Sequence, residues 1–89
     1  MTKALKKIPY GQVMVRILDS HISLISYATE AACIIDGWVY VNGLYSATTI
    51  RHLSAFAQEY CNTDYYTLKK CYNEGLKYNI RTGEFVKRY

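Results

Sequence analysis

The chain has a single proline, only five glycines and no repeat or linker-like tract, so residues 1–89 read as one packed domain with no second one beside it. No stretch reaches the roughly 18 uninterrupted apolar residues of a membrane span, and no apolar run follows the basic segment from Met1 to Pro9. The expectation is therefore a cytoplasmic protein without a membrane partner. Cys33, Cys61 and Cys71 are an odd number, which argues against a disulfide framework and for reduced thiols. The compact signatures GxGxxG, P-loop, HExxH and GxSxG are all missing, and with them the common phosphate, zinc and acyl chemistries. A domain this small seldom encloses a deep substrate cavity. His21 and His52 are the only side chains with an ordinary pKa near neutrality. His52 and Ser54, two apart on a helix, point about 200° apart and form no local dyad. No enzyme and no cofactor are expected.

Metal ligands are present but badly spaced. Zinc knuckles pair cysteines two to four residues apart on one tight turn, whereas Cys61 and Cys71 are ten apart and Cys33 stands alone. The expectation is no metal site. Cys61, Cys71 and His52 are the first candidates for one, and Cys33 and Cys71 read as small core residues.

What the chain has in excess is tyrosine, ten residues, within a composition that is 51% hydrophobic and 20% charged, the profile of a globular protein. Its charge is unevenly placed. Residues 1–64 carry Lys3, Lys6, Lys7, Arg16 and Arg51 against five acids, while residues 65–89 carry Lys69, Lys70, Lys77, Arg81, Lys87 and Arg88 against Glu74 and Glu84. The whole net charge of +4 thus belongs to the C-terminal segment, where it is interleaved with tyrosines. Such a mixture can anchor a protein partner or track a phosphate backbone, and it also suits a solvated surface.

The pattern along the chain predicts a small antiparallel meander followed by helices. Val13, Val15 and Ile17 alternate within Gln12 to Leu18, Ile22 to Ala28 is a second strand, and Ala31 to Asp36 and Trp38 to Val41 flank the hairpin pair Asp36-Gly37. Asn42-Gly43 is expected to form another tight turn. After the candidate caps Ser46, Thr48 and Thr49, residues Ile50, Leu53, Phe56, Ala57 and Tyr60 recur at helical spacing. Asp64 opens a shorter helix that ends at Gly75, and a terminal hairpin turns at Thr82-Gly83. The fold class is α+β: a small antiparallel sheet of three to five strands packed by one main helix, with a second short helix.

The segment from Tyr45 to Phe56 admits two readings. Its hydroxyls cap a helix whose Ile50, Leu53 and Phe56 fill the core, or Arg51 and an exposed His52 flank a helix N-terminus that attracts an anion. The same run, Ser-x-Thr-Thr-x-x-His-Leu-x-x-Phe, after strands holding Ile25-Ser26-Tyr27 and Trp38-Val39-Tyr40, resembles small proteins encoded by phages and prophages of Gram-positive bacteria. The resemblance spans about residues 22 to 60 and loosely the tyrosine-rich end. It carries no catalytic residues. It implies an accessory factor, some of which inhibit host defence, including RNA-guided CRISPR nucleases. Many such inhibitors mimic nucleic acid with an acidic surface, and the basic tail departs from that.

The function expected is a non-enzymatic phage accessory protein that binds and sterically inhibits a host defence protein, an anti-CRISPR type of inhibitor acting on a CRISPR effector or its guide complex. The alternative is a small basic phage regulator that binds nucleic acid directly. The partner-binding residues expected are Tyr65, Tyr66, Tyr72, Tyr78 and Arg81 as anchors, with Lys69, Lys70, Lys87 and Arg88 as a basic rim. Monomer and homodimer are both compatible with the sequence.

Overall fold

The computed structural model describes residues 1–89. Its elements are β1 (Thr2–Lys3), β2 (Val13–Leu18), β3 (His21–Ser26), β4 (Thr29–Ile35), β5 (Trp38–Val41), α1 (Ala47–Tyr60), α2 (Tyr65–Glu74), β6 (Leu76–Asn79) and β7 (Phe85–Lys87). All seven strands join one antiparallel sheet in sequence order.

The sheet is larger than the three to five strands expected from the sequence. The terminal hairpin does not stand apart: β6 docks on β5, with Trp38 opposite Asn79 and Val39 opposite Tyr78. At the other edge the two residues of β1 pair with Arg16 and Val15 of β2. Both helices sit between β5 and β6, so the chain leaves the sheet, crosses one face and returns beside the strand it left.

Local chemistry explains most boundaries. Ser46 caps α1 by accepting a hydrogen bond from the Thr49 amide, and Asp64 caps α2 through the Thr67 amide. Gly75 ends α2 in the left-handed region at φ 64°, where a side chain would be strained. Asp36 and Gly37, at φ 52° and 83°, make the tight turn expected of that pair. Asn42-Gly43 makes no such turn: it leads from β5 toward α1, and the Tyr45 ring lies against Gly43 where a Cβ would clash. The β3–β4 turn is Tyr27-Ala28, both at positive φ, where the sequence carries no turn signal.

The core lies between the helices and one sheet face. Val15, Leu24, Ala32, Ile34, Val39 and Val41 from the strands meet Leu53, Phe56, Ala57, Cys61, Leu68 and Cys71 from the helices, and Leu5 closes one side. These strand residues recur at the period of two, with one exception at a β-bulge. Leu24 pairs with Ala32, but Ile25 pairs with Glu30, so Ala31 is the extra residue. No helix is long and apolar enough to cross a membrane.

Candidate functional site

The opposite face of the sheet has no helix over it, and its register lines side chains up in rows. Leu18, His21, Ile35, Trp38 and Asn79 form one row across β2 to β6. Arg16, Ser23, Cys33 and Tyr40 form the next, and Met14, Ile25 and Glu30 a third. Val86, paired with Lys77, extends this face onto β7.

The bulge at Ala31 decides what the face contains. Three residues apart on a regular strand, Glu30 and Cys33 would point to opposite sides. With Ala31 inserted, both point outward and Glu30 reaches the middle of the face. Its carboxylate is held from several directions. Ser23 Oγ donates to Oε2 at 2.6 Å, and Asn42 Nδ2 donates to Oε1 and to the Glu30 carbonyl, each at 3.1 Å. Asn42 in turn accepts from Arg88 Nη2 at 3.0 Å, while Arg88 Nη1 donates to the Val41 carbonyl at 2.8 Å. His21 Nε2 lies 3.6 Å from Glu30 Oε2 and is itself buried with no hydrogen-bond partner. Burial, reinforced by the Glu30 carboxylate and opposed by Arg88, pushes the Cys33 thiol up to about 11.

Aromatic rings and cations flank this polar centre. Lys77 Nζ sits 4.6 Å from the centroid of Trp38 and 5.9 Å from that of Tyr40, and the Arg88 guanidinium lies 5.3 Å from the Tyr40 ring. Met14, Leu18, Ile35 and Val86 remain exposed around them.

The binding residues expected from sequence do not form one surface. Arg88 is on the open face, beside Lys77, which was not among them. Lys69, Lys70 and Tyr66 are exposed on α2, across the sheet, where Lys70 pairs with Glu74 at 3.4 Å and lies over Phe85, whereas Tyr72 shares a shallow cleft with Arg88 and Asn42. Lys87, opposite Leu76, is exposed at the sheet edge on the helix side. Tyr65 and Tyr78 pack against the core, and the Arg81 guanidinium lies against the Gly37 turn. His21, Ser23, Glu30, Cys33, Trp38, Tyr40 and Asn42 were not expected as a group, because only the bulge and strand order bring them together.

The anion site imagined at the start of α1 is also corrected. His52 is buried, sharing a hydrogen bond with Ser26 at 2.8 Å through Nδ1, and burial, aided by Arg51, holds its pKa below the usual 6.5. Cys61 and Cys71 are buried core thiols whose pKa values burial raises to about 12 and about 11.

The sequence profile of a family of unknown function (DUF8033) matches residues 1–73. That span contains the whole Glu30 network except Arg88, and it ends before β6 and β7. No curated protein and no solved structure matches the chain.

Proposed function

The chain belongs to the DUF8033 family of unknown function, and from that premise we propose that it is a non-enzymatic accessory protein that binds a partner protein through the open face of its sheet. The observation that carries this reading is the composition of that face. A sheet face left to water is ordinarily polar. Here Met14, Leu18, Ile35 and Val86 are exposed beside Trp38 and Tyr40, the apolar and aromatic mixture that partners bury.

Charge selects the occupant. Arg16, Lys77 and Arg88 outnumber Glu30 on the open face, which suits an apolar surface with acidic edges. A second copy docked face to face would set those cations against themselves. A nucleic acid is favoured less, because the C-terminal cations are divided between both sides of the sheet and make no continuous track for phosphates. The largest surface depression, about 400 Å³, is an open notch lined by Lys6, Lys7, Ala55, Gln58 and Glu59, with no cysteine, serine or histidine among them. The partner proposed is the one the sequence resemblance implies, a bacterial defence protein such as an RNA-guided nuclease or its guide complex, blocked sterically in the host cytoplasm.

The test is capture from host lysate by the purified chain, with nuclease treatment and at raised salt, followed by a cleavage assay with any nuclease recovered. The reading expects a discrete protein retained after digestion, with its cleavage inhibited. Loss of all bound material on digestion, with affinity falling steeply with salt, would replace it with direct nucleic-acid binding.

A further inference from the structure

We propose that His21, Glu30 and Cys33 form a binding site for a zinc-class divalent metal ion on the open face. One ligand atom from each of these side chains, a ring nitrogen, a carboxylate oxygen and a sulfur, lies within 4.8 Å of the other two. In a tetrahedral zinc site, with bonds of about 2.0 Å to nitrogen and oxygen and 2.3 Å to sulfur, ligand atoms stand about 3.4–3.6 Å apart. His21 Nε2 and Glu30 Oε2, at 3.6 Å, already have that separation, so closure around an ion asks for a contraction of at most about 1.4 Å elsewhere.

Three further features favour an ion over a simple polar cluster. His21 Nε2 is buried and meets no hydrogen-bond partner, which is costly unless something else occupies its lone pair or proton. Glu30 is oriented from behind: Ser23 holds one oxygen and Asn42 the other, and Asn42 is fixed by Arg88. That leaves a lone pair of Oε2 facing the histidine, the arrangement of outer-shell support found around metal-binding carboxylates. The charges also balance, because one thiolate and one carboxylate neutralise a divalent cation bound with a neutral imidazole.

The donor set identifies the class of ion. Sulfur and imidazole suit zinc and its spectroscopic substitute cobalt, and they exclude magnesium and calcium, which require oxygen. Three protein ligands leave a fourth position for water or for a donor from a docked partner.

Cobalt(II) titrated into reduced, tag-free protein is the direct test. The site predicts one equivalent bound, with the visible bands of tetrahedral cobalt and a thiolate-to-cobalt charge-transfer band that is lost in Cys33→Ser and kept in Cys71→Ala. Should Cys33→Ser fail to fold, Ser23→Ala, which touches no ion directly, is expected to weaken binding about tenfold or more. Absence of a stoichiometric complex by absorbance and native mass spectrometry would overturn the site. So would a charge-transfer band that survives Cys33→Ser.

Discussion

On the helix-covered side of the sheet Val15, Leu24 and Val39 are wholly buried, whereas on the other side Met14, Leu18 and Ile35 keep 44%, 55% and 37% of their surface exposed. The same strands supply both sets, and alternation alone assigns each residue to its side. Apolar residues on the covered face hold the fold together. Met14, Leu18 and Ile35 on the open face contribute less to it, and with the buried Ile25 and Cys33 they surround an ordered polar centre. A small domain can thus use one half of its sheet for stability and the other for recognition.

The largest expected effect sharpens that contrast. Phe56→Ala, at a wholly buried site against the covered face, should cost about 3–5 kcal/mol in urea unfolding, while Leu18→Ala should stay within about 0.5 kcal/mol. Comparable losses from the two variants would erase the distinction. Next is Ser26→Ala, which strips the buried His52 Nδ1 of its partner and should cost about 1–3 kcal/mol.

The turn between β3 and β4 allows a gain. Tyr27 and Ala28 form a two-residue hairpin turn at φ 51° and 66°, a conformation that disfavours both side chains. Ala28→Gly should add about 1 kcal/mol and raise the melting temperature by about 4–8 °C, measurable by thermal unfolding. A lowered melting temperature would contradict the strain.

The effect of pH should be the smallest of these. Burial, then Arg51, keeps the folded-state pKa of His52 below its unfolded value of 6.5. As pH falls through 6.5 the unfolded chain takes up a proton that the folded chain refuses, so stability present above that pH declines below it. Urea midpoints should fall between about pH 7.5 and pH 5.5, and fall less in His52→Gln. Equal declines would place the titration elsewhere.

Much of the fold was legible in the sequence because its signals were local. Ser46, Asp64 and Gly75 bound the two helices, and Asp36-Gly37 turns β4 into β5, for reasons carried within a few residues. The extent of the sheet was not legible. Pairing of Val39 with Tyr78 spans two helices and has no local marker, and β1 is too short to show alternation. The Tyr27-Ala28 turn lacks glycine and asparagine, so the strand before it read as longer than it is.

The candidate site was hidden for a related reason. Charge counting grouped Lys69, Lys70 and Lys87 with Lys77 and Arg88, but α2 and the sheet set them on two sides. Glu30 joins His21 and Cys33 only through the bulge at Ala31, which simple alternation places on the wrong side.

The most direct test of the division between faces is the double variant Leu18→Thr/Ile35→Thr, which keeps strand-forming residues while removing apolar surface from the open face. Thermal unfolding and nuclease-treated lysate capture would be read on the same preparation, beside Lys69→Ala/Lys70→Ala. The account predicts an unfolding midpoint close to that of the unaltered chain, loss of the captured protein by the first variant and retention by the second. A folded Leu18→Thr/Ile35→Thr variant that captures the same protein as before would contradict it.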